Sequence, residues 1–338
     1  MNPQLQSLRG LACLLLVLYH VVGADPGRGL RVGDGALRLL VDTLAAVRMP
    51  LFALLAGALY GLRPKAGGAA LADKFRRLVV PALTVGTAFA AVQALVPGTN
   101  QQVIDWHLLH IVPVAHFWFL ESLFLVFAVV MLAERGGWLQ RPRGFALVFA
   151  AAAAAYLAHP GFIWFGVAGM VYLLPYFLAG MALVRYGGQQ RLRSPWAMPA
   201  LVAGGALVLA VWAPPAHDQN RYSLAMLAAG LMLSTGLWLR PVKSAWLGRV
   251  GDVSYTVFLF HAFFTAATRI GLERLGVQAL APQVLAGLVI GVAGPMLLHR
   301  ALMRSALLRT WVLGLPERAA TAPKATASAL AMPALPQR

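Results

Sequence analysis

The chain has 338 residues, of which 60% are hydrophobic and 12% charged, and its 28 Lys and Arg against 11 Asp and Glu leave a net charge of +17. Its mean hydropathy is +0.72, whereas soluble domains are about half apolar and a quarter charged, so a disordered chain, a collagen, a disulfide-stapled secreted domain and an ordinary cytosolic enzyme are excluded. A basic balance can signal nucleic acid, but charges this sparse between apolar runs this long point to an integral membrane protein with no nucleic-acid partner.

A membrane-crossing helix needs about 20 mainly apolar residues. Ten segments are predicted as such helices: roughly 5–23, 38–62, 78–96, 116–133, 144–159, 166–185, 197–213, 222–239, 251–270 and 283–302. The fold class expected is therefore all-α, a polytopic membrane bundle of about ten transmembrane helices. The fifth segment is the least hydrophobic, with a core that is the alanine run Ala150 to Ala155. With the N-terminus inside, the inner connections 63–77, 134–143, 185–193, 240–249 and 300–338 hold twenty Lys and Arg, and the outer connections hold six. Lys and Arg accumulate on the cytoplasmic side, so both termini are expected in the cytoplasm. The first span has small residues at Val22-Gly23-Ala24, as a cleaved signal peptide would. Its lone leading Arg9 and internal His20 are unusual for one, and its removal would reverse the charge alternation. The tail 306–338 is expected to be cytoplasmic and, rich in Ala, Pro and Thr after Pro316, disordered.

Ionisable groups are costly in hydrocarbon, which makes each a candidate for function. In chain order these are Arg9, His20, Asp42, Arg48, Glu121, Asp252 and His261. Arg9 and His20 are eleven residues apart, three helical turns with about 20° of drift and about 16 Å of rise. They share one helix face and can hold the two ends of one extended ligand. Alternatively, Arg9 snorkels to headgroups and His20 bonds a neighbouring helix. Cys13, between them, is a lone thiol with no partner for a disulfide or a thiolate zinc site. Asp42 follows Arg38 by four residues, the spacing of a local helix pair. Arg48 lies about 15 Å inside the second span, too deep to snorkel cheaply, and Glu121 is its expected carboxylate partner. That pair can be structural, or Glu121 can orient His20 as carboxylates orient catalytic imidazoles. His107, His110 and His116 cluster beside Trp106, either as part of a metal face or, the preferred reading, as interfacial residues near an entrance. No metal site is expected. Asp252 is expected to cap the ninth helix beside Ser254. His261, near the middle of that span, is a packing residue or a site member, and His299 a headgroup contact. Gly57, Gly86 and Gly180 are expected to permit close helix approach. The chain carries no glycine-rich phosphate loop and no Gly-x-Ser-x-Gly elbow.

Several of these segments resemble one family in order along the chain. Residues 5–20, Leu-Gln-Ser-Leu-Arg-Gly-Leu-Ala-Cys-Leu-Leu-Leu-Val-Leu-Tyr-His, are similar to the opening of the membrane acyltransferase-3 family: an Arg, a small residue, an apolar stretch, then His eleven positions after the Arg. Arg48-Met49-Pro50-Leu51-Phe52 through Ala56-Gly57 resembles its MPLFF…SG segment, with Ala56 in place of Ser. Lys74-Phe75-Arg76-Arg77 through Pro81 resembles its basic loop before a proline, with Lys74 where an Arg is usual. Phe117-Trp118-Phe119-Leu120 is similar to its WFL helix start, and Gly251-Asp252-Val253-Ser254-Tyr255 through His261 to its penultimate helix. The resemblance implies a transmembrane acyltransferase domain over 1–305. It implies transfer of an acyl group, often acetyl, from acyl-CoA to a carbohydrate or glycolipid acceptor in a cell membrane, the inner membrane for a bacterium.

Acylating a hydroxyl needs a base of near-neutral pKa, donors for the developing oxyanion, and cations for the CoA phosphates. His20 is the expected base, with Glu121 and His261 as further catalytic candidates. Arg9, Arg48, Lys74, Arg76 and Arg77 are the candidates for donor binding, although Arg76 and Arg77 can equally serve topology or headgroups. The competing reading is a transporter or flippase of a lipid-linked sugar or small molecule, which also needs intramembrane charge. A noncatalytic scaffold of an envelope polysaccharide machine would account for the apolar chain but not for Arg48 and His20.

Overall fold

A computed structural model describes residues 3–23, 27–100, 104–159, 161–187, 194–212, 221–239 and 242–316. The tail expected to be disordered after Pro316 lies outside the described residues. Among those described, every regular element is helical. In chain order the helices are α1 (Pro3–Val22), α2 (Ala36–Thr43), α3 (Ala45–Leu62), α4 (Gly68–Lys74), α5 (Val80–Leu95), α6 (Trp118–Arg135), α7 (Pro142–Ala158), α8 (Val167–Arg185), α9 (Ala197–Trp212), α10 (Leu224–Leu239), α11 (Ala245–Asp252), α12 (Ser254–Arg274), α13 (Leu280–Leu302) and α14 (Ala306–Trp311). A π turn, Phe75–Val79, joins α4 to α5, and 3₁₀ turns at Ala115–Phe117 and Trp164–Gly166 lead into α6 and α8.

Six helical segments are long and apolar enough to cross a membrane: Pro3–Val22, Ala36–Leu62, Gly68–Leu95, Ala115–Arg135, Trp164–Arg185 and Leu280–Leu302. The pair α11 and α12, bent by 84°, adds a seventh if it is one span. The fifth, seventh and eighth sequence segments coincide with α7, α9 and α10, apolar helices of 17, 16 and 16 residues. The chain is thus an all-helical multi-pass membrane protein.

Local chemistry explains the breaks. Pro81 has no N–H to return to the Arg77 carbonyl, and its ring would crowd that group in a regular helix. The helix widens into the π turn there, and the Tyr255 hydroxyl donates to the Arg77 carbonyl. The second span breaks at Leu44, between α2 and α3. Arg38 and Asp42 of α2 form the expected i, i+4 pair at 3.6 Å, and Arg38 Nη1 also donates to the Gly23 carbonyl at 2.8 Å. The expected cap at Asp252 needs correcting. Asp252 ends α11 rather than starting α12, and its carboxylate accepts from Gln6 Nε2.

Without a hydrophobic drive between helices in lipid, small residues let backbones approach. The α3–α8 crossing is built this way from both sides. A Cβ at Gly57 would lie 1.9 Å from the Phe177 carbonyl oxygen, and one at Gly180 would lie 2.0 Å from that of Leu54. The same reciprocal contact joins α1 to α11, with Gly10 against Leu247 and Gly251 against Gln6. Gly86 differs from the expectation of helix contact: it faces the His110 and Phe117 rings. The α3–α8 crossing predicts that Gly57→Leu lowers the melting midpoint in detergent, by the about 1–3 kcal/mol that overpacking costs. An unchanged midpoint would contradict it.

Candidate active site

Three imidazoles from distant parts of the chain meet at one place. His20 comes from the last turn of α1, His116 from the 3₁₀ turn before α6, and His261 from α12. The ring centroids are 4.7 Å apart for His20 and His261, 4.8 Å for His116 and His261, and 5.7 Å for His20 and His116. His261 is fully buried and His116 nearly so, while His20 is partly exposed. His261 Nδ1 lies 3.0 Å from the Val257 carbonyl oxygen and 2.8 Å from that of Phe258. A carbonyl only accepts, so Nδ1 carries the proton and Nε2 is a lone pair. That Nε2 is buried with no hydrogen-bond partner among the described residues. His116 Nε2 faces the Leu259 carbonyl at 3.4 Å, which leaves its Nδ1 as the buried lone pair.

Ala115 directs His116 inward. It takes a φ of 43°, a left-handed conformation that costs a side-chain-bearing residue energy. The rings of Phe89, Phe117 and Phe258 then close around the imidazole. The sequence places His116 with His107 and His110 as interfacial residues. The structure separates it from them and makes it a third member of the imidazole cluster. Among the described residues, no group of three or more His, Cys, Asp or Glu is arranged to hold a metal ion.

His20 and His116 line a cavity of about 750 Å³ at the C-terminal end of α1. Arg48 shares its wall and stacks on Tyr19, with its Cζ 3.4 Å from the ring centroid. Arg48 sits in the first turn of α3, just past the break at Leu44. It faces a polar cavity instead of lipid, so its depth needs no Glu121 partner. Arg221 lines the same space, with its Cζ 5.2 to 6.0 Å from the Tyr222, Tyr172 and Trp118 rings. Tyr172 and Arg221 escape sequence reading because neither stands in a patterned segment beside the other site residues. Trp118 is visible in its motif, though its place in a cavity wall is not.

The other candidates fall elsewhere. Arg9 lies toward the opposite end of α1, within electrostatic reach of Arg77 and Asp252. Lys74 Nζ lies 3.9 Å above the Phe127 ring, and Arg76 Nη2 pairs with Asp73 at 2.7 Å. These four cations share the end of the bundle away from the cavity, and none of them lines it. Glu121 is buried in the first turn of α6, where its Oε1 lies 4.0 Å from His110 Nδ1. Next to it, Ser122 Oγ donates to the Gly166 carbonyl at 2.8 Å.

The model of an acyltransferase-domain family matches residues 2–300. The chain therefore belongs to the membrane acyltransferase-3 family, as its motif series implies. No curated protein and no solved structure matches it.

His110 lies in the connection between α5 and α6, where Thr87 Oγ1 contacts its Nε2 at 2.9 Å. Burial holds this imidazole below its ordinary 6.5. Because the fold favours the neutral ring, its contribution is fully present above 6.5 and is lost as pH falls toward the lowered folded value. The melting midpoint should fall as pH drops below 6.5, and His110→Gln should flatten that slope. An identical slope in the variant would show that another group controls it.

Proposed function

We propose that this family member moves an acyl group, acetyl in the simplest case, from acyl-CoA to a hydroxyl of a cell-surface or exported carbohydrate or glycolipid. It does so within a ten-span bundle whose two termini face the cytoplasm. The observation that carries the reading is the partly exposed His20 on the cavity wall, backed by two imidazoles whose tautomers are fixed.

His20 is the general base. His261 and His116 have committed their N–H groups to backbone carbonyls, so a hydrogen bond between either ring and His20 has to be donated by His20. The other His20 nitrogen is then a lone pair for the hydroxyl of the acceptor. As that proton leaves, the hydroxyl oxygen bonds the thioester carbonyl carbon. Collapse of the tetrahedral adduct breaks the C–S bond, and the proton passes from His20 to the departing sulfur. Arg48 stabilises the developing oxyanion. His116 and His261 act as positioning residues, and Glu121, with His110, holds the segment that carries His116.

Arg9, Lys74, Arg76 and Arg77 meet the phosphates of the donor at the cytoplasmic end. The rise of about 16 Å from Arg9 to His20 is the distance that an extended pantetheine arm has to cover to bring the thioester to the base. The twenty Lys and Arg in alternate connections support the orientation.

His20→Ala should reach the membrane and melt like wild type, yet lose transfer of labelled acetyl from acetyl-CoA to envelope glycans by about 10²- to 10⁴-fold. Transfer at the wild-type rate would remove His20 as the base. An epitope at the C-terminus should be inaccessible in intact cells and accessible after permeabilisation. Labelling of intact cells would reverse the orientation.

A further inference from the structure

We infer that the cavity beside His20 binds an anionic sugar, an acceptor that carries a phosphate or carboxylate close to its reacting hydroxyl. This rests on the acyltransferase reading only for the word acceptor; the binding site itself stands on the charges of the wall.

Four arginines, Arg28, Arg48, Arg221 and Arg269, reach the cavity, and among its described lining residues the one carboxylate is Asp42. Two of these charges are balanced locally. Arg269 Nη1 bonds both oxygens of Glu273, at 2.9 and 3.0 Å, and Asp42 lies 3.6 Å from Arg38, which stands behind the wall. The balance left at the cavity is positive. Arg48 and Arg221 both act electrostatically on Tyr172, which places them on either side of its phenol. Both also lie on aromatic faces, Arg48 on Tyr19 and Arg221 near Trp118. Stacking fixes the plane of a guanidinium and leaves its edge to meet a carboxylate or phosphate in bidentate fashion.

A low-dielectric wall with a surplus of one charge concentrates the opposite ion. A neutral sugar would match a wall of paired carboxylates and amides instead. The volume, about 750 Å³, lies in the range of small-molecule sites. The anion is assigned to the acceptor and not to CoA because Arg9, Lys74, Arg76 and Arg77, the cations proposed for the donor, lie at the other end of the bundle. His20 opens on the same space, so a sugar held by its anionic group at Arg48 and Arg221 presents a hydroxyl to the base.

Equilibrium dialysis of radiolabelled glucose 1-phosphate against the full chain in lipid nanodiscs tests this. Saturable binding is expected, with competition by glucuronate and none by glucose at the same concentration. Arg221→Gln and Arg48→Gln should each weaken binding about tenfold, and Arg221→Lys should fall between. A variant is scored if its melting midpoint matches wild type, and Arg221→Lys supplies the comparison if the Gln variants do not fold. Glucose competing as well as its phosphate would overturn the inference, as would unchanged binding in the arginine variants. CoA displacing the probe where glucuronate fails would assign these cations to the donor and overturn it too. Binding as expected in a protein that acylates no acceptor would uphold the site and remove the acyltransferase reading.

Discussion

The arrangement depends on bringing three imidazoles from α1, the turn before α6 and α12 to within about a ring's width of one another. None can get there unless the helix backbones approach closely, and glycines permit this on both sides of α1. Gly10 and Gly251 press α1 against α11, while a Cβ at Gly291 would lie 2.8 Å from Val17 and 2.7 Å from Thr265. Thus α13 is drawn against both α1 and α12. The imidazole cluster is the visible end of a packing scheme in which side chains have been removed so that backbones can touch.

The same scheme explains how a membrane protein keeps charge at depth. A lipid-exposed arginine is expensive, and Arg48 read along the chain appears to be one. In the bundle it opens on a cavity and lies on Tyr19. The break at Leu44 makes this work, because it ends α2 and restarts the helix so that the first turn of α3 faces the cavity. Pro81 does similar service at the opposite end. The carbonyl it frees at Arg77 is taken by Tyr255, which ties the basic turn to the start of α12. Two irregularities that look like defects of helical pattern therefore fix the two ends of the site.

Hydropathy and the spacing of charges made much of this legible in the sequence. The positions of the apolar segments, the Arg38–Asp42 pair, the glycine contacts at Gly57 and Gly180 and the family membership all follow from local pattern. His20 and His261 could be singled out because an ionisable group in an apolar run is conspicuous. His116 could not. It precedes its helix, stands among other polar residues, and is turned inward by the positive φ of Ala115, which no hydropathy pattern encodes. Glu121 and Arg48 were natural partners by charge alone, but which helix faces meet is a tertiary fact, and the carboxylate meets His110 instead. Asp252 beside Ser254 had the look of a cap because the sequence does not reveal the 84° bend that makes it the end of one helix rather than the start of the next.

The division of charge between the two ends of α1 narrows what the site can do. A transporter's substrate has to leave by the side opposite to its entry, so its binding groups belong at one midplane site that both sides can reach in turn. Here the cations fall into two sets. One, around Arg9 and Arg77, adjoins the π turn; the other, Arg48 and Arg221, adjoins the cavity. The imidazoles stand with the second set, at the far end of the helix that carries Arg9. Two sets of cations separated by about 16 Å along one helix, with a base at only one of them, suit two different ligands that meet from opposite directions better than one ligand that passes through. Acyl transfer has that form: the donor needs anchoring at its charged end and delivery at its reactive end, and the acceptor needs holding where the base is.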